Sequence, residues 1–107
     1  MAEFLLVLTT VPDEAAGQTI AERLVADRLA ACVTVSAAAR SRYRWEGKIV
    51  QDEERVVFIK TRRALYDRLE AALKAVHPYK VPEIIALPVE RGSKAYLDWL
   101  AAETAED

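Results

Sequence analysis

The chain has 107 residues, 52% of them hydrophobic and 30% charged, with 3 Gly and 4 Pro, a make-up that excludes a disordered or fibrous chain. Single cores form at roughly 100 to 150 residues, so residues 1–107 are expected to make one domain. The net charge of −2 speaks against a nucleic-acid partner, because phosphate neutralisation needs a surplus of Lys and Arg.

Phe4 to Val11 is a short apolar run of β-formers closed by Pro12, which predicts a strand buried on both faces. No basic segment precedes it, and it falls far short of the ~20 apolar residues of a membrane span. Pro12, Asp13 and Glu14 then suit a helix N-terminus, and Ala16, Ile20 and Leu24 recur every four residues with Ala21 and Val25 beside them. This predicts a first amphipathic helix. From Ala31 to Trp45 the segment ACVTVSAAARSRYRW alternates clearly over its second half, as a second strand does. Cys32, the single cysteine, cannot close an intramolecular disulfide; a reducing compartment, the cytoplasm, and a small buried side chain are expected.

Glu46-Gly47 reads as a tight hairpin connection, with Gly47 free to take positive φ and Ile49 to Thr61 returning as strand three. Leu65, Leu69 and Leu73, with Ala72 and Val76, predict a second helix that ends at His77-Pro78. A fourth strand is expected from Glu83 to Val89. Ser93 caps a short third helix carrying Tyr96, Leu97 and Leu100, and the tail AAETAED is expected to fray. The order β-α-β-β-α-β plus a terminal helix is the split βαβ pattern, an antiparallel sheet covered on one face by two helices. A half-covered sheet carrying Val33, Val35, Val56, Phe58 and the run IIALPV cannot satisfy both of its apolar faces in a monomer, which predicts self-association.

A two-residue turn at Glu46-Gly47 pairs Trp45 with Lys48, Tyr43 with Val50 and Arg40 with Glu53. Arg40, Arg42 and Arg44 share one face and Ser41, Tyr43 and Trp45 the other. Two readings of the arginines stand: a salt-bridge ladder to Asp52, Glu53 and Glu54, or a basic surface for RNA or another anion. Arms this long exceed the usual 5 to 6 residues, and Trp45 near the tip calls for a covering partner, most simply a second copy.

The motifs ACVTV, SRYRWEGKI, Glu54, Lys60-Thr61, HPYKVPEI from His77 to Ile84 and YLDWL from Tyr96 to Leu100 occur together in this order and spacing. In this the chain resembles the CutA divalent-cation tolerance family. The resemblance implies an α+β, ferredoxin-like fold assembled as a homotrimer, with the hairpin arms clasping neighbours through Tyr43 and Trp45. It implies association with divalent ions, copper or zinc, and carries the family's metal-ligand positions onto Glu54 and His77. The family's cysteine ligand position is Thr9 here; losing a thiolate removes the soft ligand that favours Cu(I).

His77 is the only histidine. It reads either as a borderline metal ligand paired with Glu54 or as a residue that ends the second helix and complements its negative end. Lys60, Tyr79 and Glu83 are candidates for an anion or small-molecule cleft between subunits. No Ser-His-Asp set, HExxH, CxxC, P-loop or GxGxxG is present, so no enzyme is expected. The leading expectation is a homotrimeric, divalent-metal-associated binding or regulatory protein. The alternative is a trimeric signalling or scaffold protein that takes an anionic ligand or a protein partner in its clefts, with metal incidental.

Overall fold

Burial alternates residue by residue along the first strand, β1 (Phe4–Val11), and this alternation sets the two faces of the sheet in the computed structural model, which describes residues 1–106. Leu5, Val7, Thr9 and Val11 are buried, whereas Phe4, Leu6, Leu8 and Thr10 on the opposite face are partly exposed. β1 is therefore covered on one face only, not on both. The remaining elements are α1 (Glu14–Ala26), β2 (Cys32–Trp45), β3 (Lys48–Arg62), a 3₁₀ turn (Arg63–Leu65), α2 (Tyr66–Val76), β4 (Ile85–Val89) and α3 (Lys94–Glu103). The strands lie in the order β2-β3-β1-β4, and every neighbouring pair is antiparallel.

The core lies between the covered face and the two longer helices. Val7 and Val11 of β1 and Val57 and Ile59 of β3 meet Ile20 and Leu24 of α1 and Leu69 and Leu73 of α2. The buried stripe of α1 is Gly17, Ile20 and Leu24, and Val25 stays exposed. Gly17 has a packing reason: a Cβ there would stand 2.8 Å from Val35 Cγ1, so only glycine lets α1 approach β2 this closely. Asp13 caps α1 by accepting from Ala16 N at 2.8 Å, and Ser93 caps α3 by accepting from Tyr96 N at 3.3 Å. Leu65 belongs to the 3₁₀ turn before α2, and β4 begins at Ile85 rather than Glu83.

The hairpin turn has positive φ at both Glu46 (50°) and Gly47 (78°), the pairing whose twist matches two antiparallel arms. The register is the expected one, with Trp45 opposite Lys48, Tyr43 opposite Val50 and Arg40 opposite Glu53. It slips once, between Val35 and Ala38, where Ser36 Oγ accepts from Val56 N at 2.8 Å; this is a β-bulge. The arginine ladder does not form: Arg42 lies opposite Gln51 and Arg44 opposite Ile49, and Arg42 donates to Gln51 Oε1. Among the described residues no ion pair joins Arg40, Arg42 or Arg44 to the acids of β3. The hairpin stretches the molecule to 44 × 25 × 24 Å.

The uncovered face carries two cross-strand rows, Cys32-Lys60-Leu6-Leu87 and Thr34-Phe58-Leu8-Ile85. Ile85 and Leu87 remain 51% and 44% exposed. Cys32 begins β2 on this face and is half-buried, not part of the core. The tail does not fray through Glu106. Thr104 is buried, Ala105 N donates to Arg28 O at 2.7 Å, and Arg28, Arg62 and Arg68 donate to main-chain carbonyls from Ala102 to Glu106. Asp107 lies outside the described residues.

Candidate functional site at the base of the hairpin

Pro78 disfavours an α conformation at His77, whose backbone turns extended (φ −75°, ψ 133°) and ends α2. The turn brings the ring onto β1. His77 Nε2 lies 3.0 Å from Thr10 O and 3.0 Å from Thr9 Oγ1, while Nδ1 accepts from Tyr79 N at 3.0 Å. A nitrogen that accepts from an N–H carries no proton, so the ring proton sits on Nε2 and is donated to Thr10 O. Burial holds the His77 pKa below its ordinary value, against the opposing pull of the Thr10 carbonyl and the Glu54 charge. This favours the neutral ring at pH 7.

Tyr79 continues the chain of contacts. Its ring lies 5.2 Å from that of His77, and its hydroxyl donates to Glu54 Oε2 at 2.7 Å. Burial, reinforced by the hydrogen bond to Glu54, pushes the Tyr79 pKa well above the usual phenol range. Glu54 itself is only 6% exposed, and among the described residues its Oε1 has no hydrogen-bond or ion-pair partner. The series Thr9-His77-Tyr79-Glu54 thus ties β1, the end of α2 and β3 together beneath an open cleft of about 610 Å³.

Tyr43, Trp45, Glu54, Tyr79, Lys80 and Glu83 all line that cleft. Tyr43 donates its hydroxyl to Asp52, and this bond raises its pKa, with burial second. Tyr43 and Trp45, the expected clasp residues, are 39% and 50% exposed. Of the three candidate cleft residues, Tyr79 and Glu83 come together and Lys60 stands apart. Its Nζ lies on the uncovered face, 5.6 Å from the Tyr96 ring centroid, and Tyr96 in turn lies 5.5 Å from Trp99. Sequence reasoning missed Thr10, whose carbonyl fixes the His77 tautomer, and Lys80, which joins Arg42 of the expected basic face at the cleft. A backbone acceptor leaves no mark in a sequence.

The donor set of one chain does not fit a resident metal ion. Both ring nitrogens of His77 are engaged, Glu54 offers one oxygen, and Thr9 supplies a hydroxyl in place of a thiolate. Among the described residues no three His, Cys, Asp or Glu side chains gather as a metal site would require. No helix among them is long and apolar enough to cross a membrane.

A four-stranded antiparallel βαββαβ sheet, two helices on one face and a long hairpin beside a hydrogen-bonded His-Pro-Tyr turn define an α+β class of small proteins with a distinctive outline. The sequence pattern described as "CutA1 divalent ion tolerance protein" matches residues 5–103. A relative from Thermus thermophilus, "Divalent-cation tolerance protein CutA", is 48% identical over 99 residues, covering 92% of this chain and 96% of the relative. "Protein CutA 1, chloroplastic" from Oryza sativa is 44% identical over 95% of this chain, which spans 58% of that longer relative. The crystal structure of CutA1 from Oryza sativa superposes with a TM-score of 0.95 at 42% identity, covering 99% of this chain and 97% of that one. The chain belongs to the CutA1 divalent ion tolerance family.

Proposed function

We propose that this chain is a cytoplasmic, non-enzymatic homotrimeric binding protein of the divalent-cation tolerance type, with its ligand site in the cleft at the hairpin base. The observation that carries the reading is the surface left uncovered in one chain: Ile85, Leu87, Tyr96, Trp99 and the projecting Trp45 are each at least 40% exposed. Large apolar side chains exposed in this number mark an interface. The family's name supports the link to divalent ions. With both His77 nitrogens occupied, copper or zinc meets this cleft through oxygen ligands only, so association there is loose and exchangeable. A second reading, a signalling or scaffold protein whose cleft takes an anionic ligand or protein partner, is favoured by Lys80 and Arg42 at the cleft.

The test is equilibrium dialysis against Zn(II) and Cu(II), with ¹⁵N shifts of the His77 ring followed during the Zn(II) series. The expected result is readily reversed uptake that leaves the ring tautomer unchanged and persists in His77→Ala. Stoichiometric uptake abolished by His77→Ala would contradict it and return His77 to the role of ligand.

A further inference from the structure

We infer that the cleft at the hairpin base takes an organic cation, a primary ammonium or alkylguanidinium group, with Glu54 as counter-charge and aromatic rings as walls. The inference rests on the proposed reading of this cleft as a ligand site and names its ligand class. Glu54 is 6% exposed; its Oε2 accepts from Tyr79 at 2.7 Å, and its Oε1 has no partner among the described residues. Among the described residues no buried side-chain oxygen lacks a partner, so this oxygen is open to the cleft that Glu54 lines, and the donor a carboxylate oxygen holds most strongly is a positively charged N–H. Tyr43, Trp45 and Tyr79 line the same cleft. Aromatic faces attract cations and exclude water, and a carboxylate among aromatic walls is how proteins hold organic cations.

Other ligand classes fit less well. A metal ion needs several donor atoms, and three of the lining side chains are rings that offer it little. An anion would meet a buried carboxylate at the cleft wall. The cations of the lining do not neutralise Glu54: Lys80 is exposed, and Arg42 donates to Gln51. Glu83, also exposed, adds negative charge at the rim. The volume, about 610 Å³, falls in the range of small-molecule sites.

The experiment is ligand-observed saturation-transfer NMR on the full-length protein at pH 7, titrating n-butylamine, n-butylguanidine and n-butanol, with Zn(II) in a parallel series. The two cations should bind saturably and the isosteric alcohol should not; that comparison needs no variant. Glu54→Gln keeps an acceptor for Tyr79 and should weaken cation binding about tenfold, or ~1.4 kcal/mol. Equal binding of the alcohol would overturn the cation inference while sparing the ligand cleft. Binding of none of the three would remove both. Zn(II) uptake lost in Glu54→Gln without cation binding would overturn the inference in favour of a metal.

Discussion

At His77 each ring nitrogen holds a neighbour in place, one through the Thr10 carbonyl and one through the Tyr79 amide. Truncation by His77→Ala therefore leaves partly buried backbone groups without partners, and about 1–3 kcal/mol of stability should be lost in urea denaturation. The ring's pKa is lower folded than unfolded because burial disfavours the charged form. The unfolded chain then binds the proton more strongly, so this contribution is complete above the unfolded value of about 6.5 and is lost as pH falls below it. Protonation would also set an Nδ1–H against the Tyr79 N–H. Denaturation midpoints measured from pH 7.5 to 5 should fall, and His77→Gln should flatten part of that decline; an identical slope in the variant would contradict the assignment.

The elements were largely legible in the sequence, for local reasons. Glu46-Gly47 fixed the hairpin register because two adjacent positive φ values admit few residues, and Pro78 marked the end of α2. The bulge at Ser36-Ala37 escaped notice because three alanines after Ser36 carry no alternation. The docked tail escaped because its partners, Arg28, Arg62 and Arg68, lie 38 or more positions away. The candidate site was half legible: Glu54, His77, Tyr79 and Glu83 were singled out, but the Tyr79–Glu54 bond spans 25 residues, and Lys60 was grouped with residues on another face. Two element-scale predictions follow from packing. Gly17→Val should destabilise by about 2 kcal/mol or more, since even a Cβ meets Val35 Cγ1 at 2.8 Å. Thr104→Val removes a buried hydroxyl that donates to the end of α3 and accepts from Arg62. It should cost about 1–3 kcal/mol and speed proteolysis after Glu103; unchanged protection would show that the arginines alone hold the tail.

For the whole molecule, the decisive feature is that one chain leaves part of one sheet face uncovered, α3 reaching only its Lys60–Arg62 end. In the proposed trimer, rows ending in Ile85 and Leu87 and a hairpin carrying Trp45 would complete themselves against further copies, and stability would then rise with protein concentration. Placing a charge in those rows, as in Ile85→Lys, should dissociate the assembly without unfolding the chain, because Ile85 lies outside the core that holds each subunit. The most direct measurement is sedimentation equilibrium of the metal-free wild-type protein. A single species of three times 12.0 kDa is predicted; a 12.0 kDa monomer at the same concentrations would contradict the assembly and leave the exposed aromatic and aliphatic rows without their partner.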